Sequence, residues 1–415
     1  MSINTLNKIY TSDKIEYQKS RYAKLAEDFE NFFGEKPSRY FSAPGRTEIC
    51  GNHTDHQNGK ILAASISLDI IGAVIPTDDG KIHIMSEGFK PFVVDVSDLK
   101  ISEAEKGSSK ALVKGVLRGF SDRHCKVGGF KAYTSSNVLK GSGMSSSAAF
   151  EVLIGTILNG LYNDFSVSDV EIAKIAQFAE NAYFGKPSGL MDQMASSVGG
   201  LIAIDFKNPK NPDIENIDFD FNSTGHYLCI VDTKGSHANL TSEYAAISTE
   251  MKDIASFFNV DFLRMISKSD IIQNYSELRK KFGDRAVLRA LHYMDCNIRV
   301  DKECKALKDN DFQGFLDLVN ESGDSSYKYL QNIFSPSSPS QQGLSTALYL
   351  AKEVLVNSGA YRVHGGGFAG TIQAFVPADK LSDFTKRMES VFGTGSCIVP
   401  DIRSVGGTEI KLPDT

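Results

Sequence analysis

The amino-acid sequence predicts an α+β fold in two domains, and three observations carry that expectation. At 415 residues the chain exceeds the size at which one hydrophobic core usually stops growing, so two units with a cleft between them are expected. The first half alternates strand-like and helix-like segments, whereas the second opens on long helical patterns and closes on a glycine run feeding a strand. Between the halves, residues 207–225 (KNPKNPDIENIDFDFNSTG) are punctuated by Pro, Asn and Gly, which interrupt regular structure. The boundary is placed at the start of that zone, giving domains over 1–206 and 207–415.

The elements follow in order. Residues 13–33 set Tyr22, Leu25, Phe29 and Phe32 at three- and four-residue steps, the spacing of an amphipathic helix with those side chains inward. After Pro37, SRYFSAPGRTEICGNHTDHQNGK is dense in glycine and polar groups between apolar runs, which predicts a strand, a loop and a buried segment. Residues 91–96 and 129–135 have strand composition, while 111–120 and 148–161 have helical spacing. HYLCIVD at 226–232 is strand-like, and helices are expected over 243–258, 276–301 and 311–322. A polar connection, FSPSSPSQQG, precedes another helix, and GAYRVHGGGFAGTIQAFVP then feeds the last strand. No repeat of 20 to 50 residues stands out, which disfavours solenoids and propellers.

Charge and cysteine usage narrow the function classes. Forty-five basic against 51 acidic residues leave a net charge of −6, so no global basic field invites nucleic acid or an anionic membrane. The six cysteines include no CxxC pair, so they are expected as reduced thiols rather than a zinc knuckle or disulfide framework. MSINTLNKIYTSDK has no apolar core of a signal peptide, and the run Ile61–Ile75 is interrupted by Asp69, too short and too polar to span a bilayer. A monomeric cytoplasmic protein acting on a small molecule is expected.

Three polar loops carry candidate chemistry. In NVLKGSGMSSSAAFEVLIG, residues 137–155, a strand-like segment runs through glycines and serines directly into a helix. Free N–H groups and the positive end of the helix dipole suit a phosphate there; a Ser-rich N-cap is the plain alternative. It is neither a Walker A loop nor a dinucleotide fingerprint. SAPGRTEICGNHTDHQNGK, residues 42–60, packs Arg46, Glu48, Asn52, His53, Asp55, His56 and Gln57 closely together, a mixture of donors and acceptors suited to vicinal sugar hydroxyls. An HxxH metal pair (His53, His56) or a solvated loop are the alternatives. AENAYFGKPSGLMDQMASSVGG, residues 179–200, holds Glu180 and Asp192; Asp192 is either a base or orienting acceptor or the cap of the next helix.

Taken in order, the three loops resemble the galactokinase branch of the GHMP kinases. APGRTEICGNHTD is similar to that family's sugar-binding signature, GSGMSSSAAFE to its phosphate loop, GLMDQ to its catalytic-Asp motif, and HGGGFAGTIQAF to its last glycine motif. KGSHANLTSEYA, residues 234–245, resembles the segment bearing a sugar-contacting Tyr. The resemblance implies a two-domain fold: an N-terminal α/β domain with a left-handed βαβ crossover, against the usual right-handed rule, and a ferredoxin-like C-terminal domain. It implies transfer of the ATP γ-phosphate to the anomeric hydroxyl of galactose. Asp192 would orient or accept that proton and Arg46 would hold Asp192. Asn52, His53, Asp55, Gly189 and Tyr244 would bind the sugar. Gly141, Ser142, Gly143, Ser145, Ser146 and Ser147 would wrap the phosphates, Ser147 and Glu180 would hold Mg²⁺, and Gly365–Gly367 would close the site from the second domain.

Some positions depart from that pattern. Several galactokinases carry a Glu facing the sugar's C6 hydroxyl where this chain has Asn52. Loss of that carboxylate makes galacturonate or another galactose derivative the alternative substrate, with Lys234 as a compensating cation. Ser109 and Leu112 stand ahead of the VKG segment where relatives place aromatic residues, Leu139 replaces a proline and Ala369 a glycine. A non-catalytic sugar sensor is a further alternative, opposed by the retained Asp192, Arg46, Glu180 and Ser145–Ala148 run.

Overall fold

The computed structural model describes residues 3–138, 143–235 and 240–412. Strands β1 (Ile3–Asn4), β2 (Arg39–Cys50), β3 (Lys60–Thr77), β4 (Lys81–Ser86), β5 (Phe92–Asp95), β6 (Gly129–Ser136), β7 (Leu201–Asp205) and β8 (Asp213–Asn216) build one sheet. Strands β9 (His226–Asp232), β10 (Ala360–His364), β11 (Thr371–Pro377) and β12 (Cys397–Ile398) build a second, and β13 (Thr408–Ile410) returns to the first, between β1 and β2. This is the α+β organisation expected.

The apolar run that is too short to cross a membrane is instead β3, the centre of the large sheet, paired with β2, β6 and β7. Asp69, which interrupts the run, is fully buried but compensated: its carboxylate accepts from Arg21 (2.8 Å), Arg403 (3.1 Å), Ser42 (2.6 Å) and Tyr10. A buried charge survives only with partners of this kind, and here they tie both ends of the chain to the sheet. β4 and β6 run parallel, joined through β5 and the helix Ser109–Asp122. That helix lies close against its neighbour, since a Cβ on Gly115 would stand 2.5 Å from Ala179 Cα.

In the second sheet every pairing is antiparallel, and the helices Gly343–Leu355 and Leu381–Phe392 cover one face through Leu344, Ala347, Phe384 and Met388. Leu228, Ile230 and Phe375 on its other face pack with Phe315 and Leu316 into the core that also holds β2 and β3. The two sheets thus meet through a continuous apolar layer. No helix among the described residues is long and apolar enough to cross a membrane.

The pattern and the structure differ in three details. The helix expected over 276–301 is divided at Gly283, whose φ of +85° ends Tyr275–Phe282 before Asp284–Lys308 begins. Phe32 is 45% exposed, because Tyr22, Leu25 and Phe29 already fill the inward face of Ile15–Phe33. The punctuated zone 207–225 contains β8, an edge strand on β7.

Candidate active site

Side chains alternate across a strand, so β2 presents Arg46 and Glu48 to one side and Thr47, bound to Gln373 (2.9 Å), to the other. The β2–β3 register is irregular between Pro44 and Arg46 and again between Glu48 and Cys50; such bulges re-aim side chains beside active sites. Arg46 Nε donates to Asp192 Oδ1 at 2.7 Å, its Nη2 lies 2.6 Å from the same oxygen, and Nη1 donates to the Gly143 carbonyl. Ser145 Oγ donates to Asp192 Oδ2. All three polar loops therefore converge on one carboxylate.

These contacts decide between the local alternatives. Ser145 is the N-cap of the helix Ser146–Tyr162, yet its side chain makes no cap bond and its φ of 55° turns the hydroxyl to Asp192. Asp192 sits in the first turn of Met191–Val198, whose N-cap is Leu190, and reaches out of its own helix. Burial pushes the Asp192 carboxyl up, but Arg46 and Ser145 outweigh it and hold it below the usual carboxylate range.

Beside this carboxylate, Ser146 and Ser147 open a helix, and the free N–H groups of a helix N-terminus suit an anion. Ser147 Oγ donates to Glu180 Oε1 at 3.1 Å, and Lys186 Nζ lies 2.9 Å from that oxygen. Gln193 Nε2 donates to Glu180 Oε2 (2.8 Å) and to the buried Glu151 (3.2 Å). Glu180 lies in a π-helical turn, Ala179–Phe184, a distortion frequent at functional sites. Gly141 and Ser142 lie outside the described residues. Glu151 and Gln193 close the GSGMSSSAAFE and GLMDQ segments but were given no role there; Lys186 lies within the third loop, where its charge was the available signal.

Beside Asp192 is a cavity of about 170 Å³ lined by Arg46, Glu48, Asn52, His53, Asp55, Ser188, Gly189, Met191, Asp192, Gly365 and Gly366. Gly189 leaves room for Asp55, since a Cβ there would lie 1.6 Å from Asp55 Oδ2. Burial raises Asp55 to about 6, with Asp192 and Glu48 adding repulsion, and burial lowers His53 to about 4. The glycine run closes the cavity from the second sheet: the carbonyls of Gly365, Gly366 and Gly367 accept from Asn52 Nδ2 (2.7 Å), His53 Nε2 (2.9 Å) and Tyr244 OH (2.9 Å).

The Asn52 amide is used within the protein, donating also to Glu48 Oε1 (2.9 Å) and accepting from Asn332 (2.7 Å). Lys234 Nζ pairs with Asp232 at 2.9 Å and is not part of the cavity lining. His53 and His56 have ring centroids 5.9 Å apart, but no cluster of three or more His, Cys, Asp or Glu among the described residues could hold a metal. Near the VKG segment, Tyr183 packs beside Gly115 and donates to the Leu99 carbonyl at 2.6 Å.

Known proteins resemble this chain over most of its length. The family model "Galactokinase galactose-binding signature" matches residues 27–76, and "GHMP kinases N terminal domain" matches residues 111–200. A galactokinase of Glaesserella parasuis is 30% identical over 372 residues, covering 86% of this chain and 90% of that protein. A galactokinase of Streptomyces coelicolor is 28% identical over 385 residues, covering 91% and 95%. The crystal structure of Lactococcus lactis galactokinase complexed with galactose superposes with a TM-score of 0.79 at 25% identity, covering 93% of this chain and 99% of that one.

Proposed function

The chain belongs to the galactokinase family of the GHMP kinases, and from that premise we propose that it transfers the γ-phosphoryl group of ATP to the anomeric hydroxyl of galactose, giving galactose 1-phosphate and ADP. The observation that carries this assignment is the convergence of Arg46 and Ser145 on Asp192 at the junction of the sugar cavity and the phosphate loop.

Phosphoryl transfer passes through a loose transition state, so positioning and charge stabilisation outweigh early proton removal. A carboxylate held below its ordinary range is a poor base. Asp192 therefore orients the anomeric hydroxyl and receives its proton late, while Arg46 fixes the carboxylate and offsets developing charge. His53, Asp55 and Tyr244 contact the sugar, Gly189 makes room for Asp55, and Asn52 positions its neighbours. The phosphates lie along residues 141–147.

Ser147 and Glu180 supply the hard oxygen donors that Mg²⁺ prefers, and few protein ligands suffice where phosphate oxygens complete the shell. When bound there, Mg²⁺ neutralises charge on the transferring phosphoryl group. Residues 1–206 carry the sugar and phosphate loops and 207–415 close the cleft, while β8 and β13 return to the first sheet; the enzyme is taken as a cytoplasmic monomer.

Galacturonate is not favoured. Three carboxylates, Glu48, Asp55 and Asp192, line the cavity against one guanidinium, and that guanidinium is already paired. A fourth negative charge would enter against like charges at close range. ATP consumption with galactose, galacturonate and N-acetylgalactosamine side by side, with the product tested for an anomeric phosphate, checks the assignment. Galactose should dominate, and stronger turnover of the uronate would overturn it.

A further inference from the structure

Glu48 divides its carboxylate between the protein and the sugar cavity. Oε1 accepts from Asn52 Nδ2 at 2.9 Å and from Arg362 Nη2 at 3.0 Å. Oε2 has no hydrogen-bond partner among the described residues, although the side chain is only 5% exposed and lines the cavity. A carboxylate has about four acceptor sites, so Oε2, on a side chain that lines the cavity, keeps free acceptor capacity. Ligand hydroxyl groups entering the cavity would supply what Oε2 lacks.

Placement along β2 indicates which hydroxyl groups it can reach. Arg46 marks the reacting end through Asp192. Glu48 is two residues further along the same strand, roughly 6–7 Å away, on the same face, so it meets a different part of the sugar. Asn52 offers less, since both amide hydrogens go to Glu48 and the Gly365 carbonyl and its neutral oxygen already accepts from Asn332.

We propose that Glu48 is a specificity-determining residue that accepts, through Oε2, a hydrogen bond from a sugar hydroxyl remote from the anomeric carbon, with Asn52 and Arg362 fixing Oε1. The carboxylate absent from position 52 is thus supplied four residues earlier in the chain. This rests on the galactose 1-kinase assignment, and the wild-type sugar panel tests that assignment before any variant is made.

The experiment crosses Glu48→Gln with deletion of single hydroxyls from the sugar. Steady-state kinetics are measured for both enzymes with galactose and its 3-, 4- and 6-deoxy analogues. With galactose, the variant should raise KM about tenfold or more while changing kcat little. With one of the deoxy sugars, the two enzymes should have kcat/KM values within about threefold, because the group that Glu48 recognises is already gone. A uniform loss on all four sugars would mark a structural role and overturn the proposal. Should Glu48→Gln fail to fold, Glu48→Asp, which keeps the charge but withdraws it by one methylene, enters the same cycle with the same two outcomes.

Discussion

Arg46 and Asp192, 146 positions apart in the chain, share a hydrogen bond of 2.7 Å and an ion-pair contact of 2.6 Å, with the Arg46 side chain 6% exposed. Arg46 also binds the Gly143 carbonyl, so one guanidinium fixes both the Asp192 carboxylate and the glycine- and serine-rich loop. Asp192→Asn keeps the shape and removes the charge. It should lower kcat by about a hundredfold or more while KM for galactose changes little, measured by initial rates at saturating ATP. A near-normal kcat would show that Asp192 has no part in the transfer step.

Asp55 should set the acid limb of the pH profile. Its carboxyl is raised to about 6 from 3.8, first by burial and then by Asp192 and Glu48. Only the ionised form is a full acceptor for sugar hydroxyls, so kcat/KM for galactose should rise through pH 6 and level off above it, while kcat stays flatter. Stability runs the opposite way: between about pH 4 and 6 the folded state binds more protons than the unfolded state, and stability falls as pH rises. Asp55→Asn should remove the limb near pH 6, raise the melting temperature at pH 7 and leave it nearly unchanged at pH 4. A limb that persists unaltered in Asp55→Asn would belong to another group.

Gly189 tests the steric side of sugar recognition. The added methyl of Gly189→Ala would fall 1.6 Å from Asp55 Oδ2, so the carboxylate must leave its position. KM for galactose should rise by about tenfold or more, equivalent to about 1.4 kcal/mol, with KM for ATP unchanged. Calorimetric titration with galactose alone provides the direct check; unaltered affinity would mean that Asp55 does not face the sugar.

Much of this site was legible in the sequence because its parts are short, ordered segments. The three loops that meet at Asp192 each carry a local pattern, and β9 coincides with the HYLCIVD segment. Partners distant in the chain were not legible. Glu48 stood in the sugar loop without a role, because its significance depends on Arg362, 314 residues away. Asp69 read only as a break in an apolar run, since the charges that compensate it come from Arg21 and Arg403. Gly283 was passed over because both flanking segments share one helical period, and only its left-handed φ divides them.

Glu180 should govern metal dependence separately from sugar binding. Its Oε1 receives Ser147 and Lys186, its Oε2 receives Gln193, and the residue is 1% exposed. Glu180→Gln preserves volume but replaces one hard anionic oxygen with an NH2 group, which neither accepts from its present donor nor binds Mg²⁺. The Mg²⁺ concentration giving half-maximal rate should rise about tenfold or more at fixed ATP, with galactose affinity unchanged by titration calorimetry. Ser147→Ala removes a neutral donor and should have the smaller effect. Lys186 adds a competing consideration, because its ammonium group neutralises the same oxygen in the protein alone. Lys186→Met should therefore lower the Mg²⁺ requirement if the ammonium group competes with the metal, and the opposite shift would assign Lys186 to holding the phosphates instead.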